Sequence, residues 1–421
     1  MNARPKILYL TTYDLDGPDN GGTLRNRHIL RHLSKIGDVN VLLASDFAFD
    51  FDKTTKKIIG GFPVVDIIQF QRMGKLSLYE RMLNQFDPHF LNFDWTRVRN
   101  GDRDHLLHQC AAHDLVWIHT LRVANRFDRW RWPATVLDID DVPSSQCRNS
   151  IAAAETLFGK LRLWRQTALW RRRERFLLDR FEALCVCSDA DKKLLGDDNR
   201  IFVLPNGFEV PIKTMERKSA VPPRIGFVGN FRHPPNDDGL RWFAQKIWPE
   251  ILRRQPGARL RLAGAEGEKF SGIPNVDILG WIADMENEMA SWNLSIVPIR
   301  IGAGTRVKIA ESFGRKCPVV STALGAYGYD VTNGLELWLA DSPRDFAAKC
   351  LRALENPSEA EAMAARAYKK FLRHWTWNAL EERVETVVES VLKKREAWRN
   401  ISRKNFESLQ RSRTVLAQKQ L

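Results

Sequence analysis

The sequence predicts an α/β protein: two domains built on mainly parallel sheets that face each other across a cleft, followed by a C-terminal helical extension. Three observations predict it. Short apolar runs at 7–10, 39–43, 64–70, 115–118, 135–139 and 183–187 lack strict alternation, as strands covered on both faces do. Longer segments of helical spacing, such as 24–36, lie between them, which is the grammar of repeated βα units. The same grammar restarts after residue 212, with strands expected at 224–228, 258–263, 276–279, 294–297 and 319–321 and helices around 240–252 and 306–313. The polar stretch KTMERKSAVPP (213–223) ends in two prolines and suits a linker. The expected boundaries are therefore 1–212, 213–376 and 377–421. The last segment is helical in periodicity and basic towards its end, through Lys393, Lys394, Arg395, Arg399, Arg403 and Lys404. A solvated helix capping one domain is preferred there to an arm touching anionic lipid.

Composition bounds the function. With 421 residues, 44% hydrophobic and 28% charged, the chain is long enough for two or three globular domains of about 150 residues and is not a disordered or fibrous chain. The 65 Lys and Arg against 51 Asp and Glu give +14. That balance favours a polyanion, whether nucleic acid, an anionic membrane surface or phosphorylated ligands. Six cysteines form no C-x-x-C pair, so neither a disulfide framework nor a zinc site is expected, and a reducing cytosol fits. The apolar stretch 7–10 is too short for a signal peptide, and no run approaches the roughly 18 residues of a membrane span. If the protein meets a membrane, it is expected to lie on it.

Ligands of parallel α/β sheets bind outside the carboxyl ends of the strands, where helix N-termini present free amides. The segment GPDNGG (17–22) follows the first strand, and Gly21 and Gly22 allow backbone to approach an anion or a sugar; a flexible turn at a helix start needs glycine equally. The segment is neither a G-x-G-x-x-G fingerprint nor a P-loop, which argues against a nicotinamide dehydrogenase or a P-loop ATPase. The strongest segment is PIRIGAGTRVKIAES (298–312). Gly302, Ala303 and Gly304 precede Thr305, a candidate cap, and a helix carrying Arg306, Lys308 and Glu311. Amides plus two cations make a diphosphate site, and a carboxylate one turn further is placed for ribose hydroxyls. The alternative is a capped surface helix with a Lys308–Glu311 pair.

The stretch GAGTRVKIAESFGRKCPVVSTALGAYG resembles the donor region of the retaining family 4 glycosyltransferases, which have the GT-B fold of two Rossmann-like domains. IGFVGNFRHPPNDDGLRWFAQKIWPEI resembles the opening of that family's C-terminal domain, VLPNGF (203–208) the exit from its N-terminal domain, and 5–33 its first strand, glycine loop and helix. The resemblance implies transfer of a sugar from a nucleotide diphosphate donor, held mostly by the C-terminal domain, to an acceptor held by the N-terminal one, with retention. Glu311 matches the second glutamate of the family's E-x7-E motif; Ala303 stands where the first is expected. Where many members carry an arginine and later a lysine for the diphosphate, this chain has Gly229 and Asn230 followed by Phe231-Arg232-His233, so Arg306 and Lys308 are expected to supply the charge that stabilises the leaving group. No metal ion is then demanded.

His119, at a strand end, is similar to the histidine that many members place beside the donor sugar, able to donate a hydrogen bond or orient the acceptor; a histidine bonded to a backbone carbonyl is equally compatible with the sequence. Asp138 and Asp141 in LDIDDVP are candidate acceptor contacts, with a structural role before Pro143 favoured. The basic segment 160–180, with Trp164 and Trp170, suits an anionic lipid surface, although a helix packing Leu163, Trp170 and Leu177 on the sheet is preferred. The expectation is a cytosolic glycosyltransferase, peripheral on the inner face of a membrane, acting on a glycan, lipid-linked saccharide or polysaccharide, with no nucleic-acid partner. The alternatives are a polyanion- or lipid-binding protein with a decayed donor site, and a sugar-nucleotide epimerase of the same fold.

Overall fold

The computed structural model describes residues 4–17, 21–45, 58–72, 74–91, 96–98, 100–211, 216–218 and 220–395. Two large sheets organise them. The N-terminal sheet runs in the spatial order Ile201–Val203, Phe181–Val186, Trp132–Asp140, Leu115–His119, Lys6–Thr11, Asp38–Ser45, Phe62–Gln69, Ile58–Ile59. Every neighbouring pair is parallel except the last, a short antiparallel hairpin. The C-terminal sheet is wholly parallel: Val276–Gly280, Arg259–Ala263, Arg224–Val228, Leu294–Val297, Val319–Ser321, Trp338–Leu339.

Each sheet is buried on both faces, which is why its strands are continuous apolar runs. In the first strand Ile7 and Tyr9 enter one core while Leu8 and Leu10 enter another on the opposite face, the period-2 consequence of a pleated strand. Strands 224–228, 294–297 and 319–321 have the boundaries expected from sequence, whereas the helix expected around 240–252 is two, Pro234–Lys246 and Trp248–Arg254. Pro249 at the start of the second cannot donate the hydrogen bond that would continue the first.

In both sheets the order runs outward in opposite directions from the first strand, so each has a topological switch point: between Lys6–Thr11 and Leu115–His119, and between Arg224–Val228 and Leu294–Val297. The chain crosses between domains twice. Phe208 bridges to Thr376 and donates its N–H to the Trp375 carbonyl at 2.8 Å. Helix 377–395 then returns to the N-terminal domain, where Trp377, Leu380, Val384, Val387, Val388 and Val391 join its core. Of its basic residues, Lys393 pairs with Glu389, Lys394 with Glu182, and Arg395 donates to the His113 carbonyl. The further basic residues from Arg399 onward lie outside the described residues.

A buried ion pair fixes the upper end of the N-terminal sheet. Arg25 donates to both carboxylate oxygens of Asp138 at 2.9 and 2.7 Å and to Asn206 Oδ1 at 3.1 Å, and both charged side chains are fully buried. Replacing Arg25 by Met strands a buried carboxylate, so denaturant unfolding is expected to show a loss of about 3–5 kcal/mol. Arg25→Met combined with Asp138→Leu is expected to recover most of it.

Candidate functional site

The two switch points meet. A Cβ at Gly21, the first residue of helix Gly21–Ile36, would sit 3.4 Å from Val307 Cγ2, the first residue of helix Val307–Gly314. Around this point the loop 298–306 is gripped from the N-terminal domain. Asn149 Nδ2 donates to the Gly302 carbonyl at 2.9 Å, and the Asn206 N–H donates to Thr305 Oγ1 at 3.4 Å. Gly302 and Gly304 have φ of 102° and 71°, a region that costs an L-residue free energy. The loop also runs close to its neighbours: a Cβ at Gly304 would lie 2.1 Å from Asp141 Oδ1, and one at Gly302 2.9 Å from Arg306 Nη2.

Thr305 is not the cap. Arg306 holds that position, with no side-chain cap bond, and the Thr305 hydroxyl instead accepts from the other domain. The Arg306 guanidinium folds back onto its own loop, donating to the carbonyls of Ala303, Gly304 and Ile301, while its Nε has no hydrogen-bond partner among the described residues. In this state it braces the loop.

Lys308 is the cation aimed at the crevice between the two central strands. Its Nζ donates to Asn236 Oδ1 at 2.6 Å and stands 4.3 Å from the centre of the Phe227 ring. Asn236 Nδ2 in turn donates to the Asn230 carbonyl at 2.8 Å. A Cβ at Gly229 would lie 2.7 Å from Asn236 Nδ2 and 3.2 Å from Lys308 Nζ, so glycine there lets the strand end run directly beside the ammonium. Burial, followed by repulsion from Arg306, pulls the Lys308 pKa down to about 7. Burial also pushes the Glu311 carboxyl up, against the pull of Arg315 and Lys308. Glu311 Oε1 accepts from Arg315 Nη1 at 3.0 Å, so the Lys308–Glu311 ion pair considered from sequence is replaced by two separate arrangements.

Across the cleft, His119 is fully buried and neither ring nitrogen has a hydrogen-bond partner among the described residues. The alternative of a bond to a backbone carbonyl is thus not what holds it. Burial lowers its pKa against the opposing pull of Asp138 and Asp140, leaving a neutral ring with one donor and one acceptor unused. Tyr13 packs edge-on against it at 5.2 Å between centroids. The same phenol explains Gly22: a Cβ there would lie 2.3 Å from the Tyr13 ring, so Gly22 makes room for tyrosine. Residues 18–20 of that glycine loop lie outside the described residues.

The two aspartates part company. Asp138 is sealed in the pair with Arg25 and does not line the cleft, which corrects the acceptor assignment; it does not cap the helix Pro143–Asn149 either, where Glu174 Oε1 accepts from the Ser144 N–H at 2.8 Å. Asp141 does reach the cleft, against Gly304. Enclosure there and the neighbouring Asp140 carboxylate raise its pKa, with Arg306 opposing. Asp140 accepts from Cys187 Sγ at 3.2 Å and Asn206 Nδ2 at 3.3 Å. Among the described residues no three His, Cys, Asp or Glu side chains gather as metal ligands.

Sequence reasoning gave no role to Tyr13, Asn149, Asn206, Asn236 or Tyr327. Asn206 lay within the quoted VLPNGF segment, and Asn236 follows two prolines at a helix start, a position where a side-chain amide readily meets loop backbone. Tyr327, whose hydroxyl donates to Asp191 Oδ1 at 2.8 Å across the domains, left no local signal.

The family model described as Glycosyl transferases group 1 matches residues 222–356, which lie within the C-terminal domain. An uncharacterized 44.6 kDa protein in the cps region of Klebsiella pneumoniae is 27% identical over 154 residues, spanning 34% of this chain and 40% of that protein. Sucrose-phosphate synthase from Thermosynechococcus elongatus superposes with a TM-score of 0.66 at 13% identity, over 93% of this chain and 100% of that one. HepE from Anabaena, in a complex with UDP and glucose, superposes with a TM-score of 0.59 at 16% identity, over 92% of this chain and 100% of that one. The architecture is GT-B.

The buried lysine sets a pH test. Only its protonated form complements a diphosphate, so nucleoside diphosphate affinity measured by calorimetry is expected to fall between pH 7.5 and 9, by up to about tenfold per unit for one proton taken up. Lys308→Met is expected to bind more weakly and to flatten that dependence.

Proposed function

We propose that the chain transfers a sugar from a nucleoside diphosphate donor to an acceptor hydroxyl on a glycan, lipid-linked saccharide or polysaccharide, with retention of anomeric configuration. The observation that carries the proposal is the convergence at the C-terminal switch point of Lys308, the glycine backbone of Gly229, the amide-presenting start of helix Val307–Gly314 and, one turn on, the carboxylate of Glu311. The diphosphate lies against Lys308 and the helix start, with Gly229, Asn230 and the Gly302–Thr305 backbone beside it, and displaces the Asn236 bond. Glu311 accepts from the ribose hydroxyls.

In the reaction the bond from the anomeric carbon to the diphosphate breaks and a bond to the acceptor oxygen forms on the same face. The acceptor proton passes to the departing diphosphate oxygen, so no protein nucleophile is required. Lys308, and Arg306 once turned from its loop carbonyls, stabilise the charge that gathers on the leaving group. His119 uses its free ring nitrogens on the donor sugar or the acceptor hydroxyl, and Asp141 faces the acceptor. The protein needs no metal for these steps. We place it in the cytosol, peripheral on the inner face of a membrane; no helix among the described residues is long and apolar enough to cross one.

Support comes from the group 1 family match to residues 222–356 and from the likeness in fold to HepE, crystallised in complex with UDP and glucose. A panel of nucleoside diphosphate sugars incubated with wild type and Glu311→Ala tests the reading. Loss of hydrogen bonds to a charged group, about 1.5–3 kcal/mol, predicts a roughly ten- to hundredfold fall in nucleotide affinity and in transfer. Unchanged affinity contradicts the ribose assignment. Product NMR is expected to show the donor's anomeric configuration, and conversion of the donor without an acceptor marks an epimerase instead.

A further inference from the structure

We propose that an anionic bilayer docks on a two-helix surface of the N-terminal domain, formed by helix Leu78–Phe86 and the first two turns of helix Leu157–Glu174; the inference deepens the peripheral placement and does not depend on the donor chemistry. Helix Leu78–Phe86 buries none of its residues, and its large apolar side chains Leu78, Tyr79, Met82 and Phe86 point to water. At the start of Leu157–Glu174, Leu157, Phe158, Leu161 and Trp164 do the same. All eight are 55–84% exposed. Residues 78, 82 and 86 recur at four-residue spacing, and 157, 161 and 164 at four and three, so each set shares one helix face. Soluble proteins rarely leave such apolar faces uncovered unless something binds them.

Of the residues expected to pack on the sheet, Trp170 packs against the core and Leu177, in the short helix Leu177–Arg180 that follows, is buried within it; the start of helix Leu157–Glu174 instead turns its aromatic and aliphatic groups outward. The second helix meets the first through its C-terminal end, where Arg173 Nη2 donates to the Asn84 carbonyl at 2.5 Å and to its Oδ1 at 2.9 Å, and just beyond the two helices His89 packs on Phe176 at 4.7 Å between ring centroids.

Charge chooses the occupant. Lys160, Arg162, Arg165 and Arg172 on the second helix are exposed and form no ion pair with a described residue; Arg171 stands close enough to Glu174 to pull down the pKa that burial raises, and Arg175 follows the helix end. Glu174, the helix's acidic residue, is buried and accepts from Ser144. Apolar side chains enter the acyl boundary while cations meet lipid phosphates. A second copy of this chain would bring like charges together. Position adds a reason: Asn149, bonded to the Gly302 carbonyl in the cleft, precedes Leu157 by eight residues, at most about 28 Å of chain. A membrane on this face brings a lipid-linked acceptor near the cleft mouth.

Co-sedimentation of the full chain with phosphatidylcholine vesicles and with vesicles containing one quarter phosphatidylglycerol tests the surface. Wild type is expected to pellet with the anionic vesicles alone, and less so as salt rises. Phe158→Ser/Leu161→Ser/Trp164→Ser, Met82→Ser/Phe86→Ser and Lys160→Gln/Arg162→Gln/Arg165→Gln are each expected to lower partitioning, the first by at least about tenfold, with unchanged melting temperature and nucleotide binding. Hydrogen exchange of wild type is expected to slow at 78–86 and 157–165 when anionic vesicles are added. Wild type that ignores anionic vesicles, variants that bind as well as wild type, absent exchange protection, or a dimer that the serine variants dissolve overturns the proposal. Loss of nucleotide binding in solution would speak against the donor site and leave this surface standing.

Discussion

The site depends on one close approach: the loop 298–306 passes so near the N-terminal domain that a Cβ at Gly304 would lie 2.1 Å from Asp141 Oδ1. Three further contacts hold the same seam, from Asn149 to the Gly302 carbonyl, from the Asn206 N–H to Thr305, and from Tyr327 to Asp191. The backbone that presents the start of helix Val307–Gly314 is therefore positioned by both domains at once. A movement between the domains changes that loop directly, because the hydrogen-bond partners of Gly302 and Thr305 ride on the opposite body.

Electrostatics follow from that enclosure. Burial and repulsion from the neighbouring Arg306 depress the Lys308 pKa, while Arg306 lies close to the carboxylates of Asp141 and Asp140 and donates to its own loop carbonyls. His119 is fully buried, and among the described residues its neutral ring has no hydrogen-bond partner; a buried polar group left unsatisfied costs free energy.

The fold was legible because strands covered on both faces must be apolar throughout, and the restart at Arg224 was visible in the same terms. Short edge elements such as Ile58–Ile59, Ile201–Val203 and Trp338–Leu339 were not foreseen, since two or three residues carry too little pattern to separate from loop. The donor loop was legible from Gly302, Gly304, Lys308 and Glu311 because glycine and charge at a helix start have a local physical meaning. The partners of those residues were not. Nothing in the local sequence says that Asp138 will be neutralised by Arg25, or that Gly22 serves Tyr13, because these relations join segments far apart in the chain. Exposed apolar faces on Leu78–Phe86 and Leu157–Glu174 were equally hidden, since periodicity shows that a helix has an apolar side and leaves open what covers it.

A crystal structure of the full chain soaked with a nucleoside diphosphate tests the central claim most directly. The account predicts the diphosphate between Gly229 and the start of helix Val307–Gly314, Lys308 Nζ transferred from Asn236 to a phosphate oxygen, and the ribose hydroxyls on Glu311. A nucleotide bound elsewhere, with the Lys308–Asn236 bond intact and the crevice between strands Arg224–Val228 and Leu294–Val297 closed to it, would contradict the account.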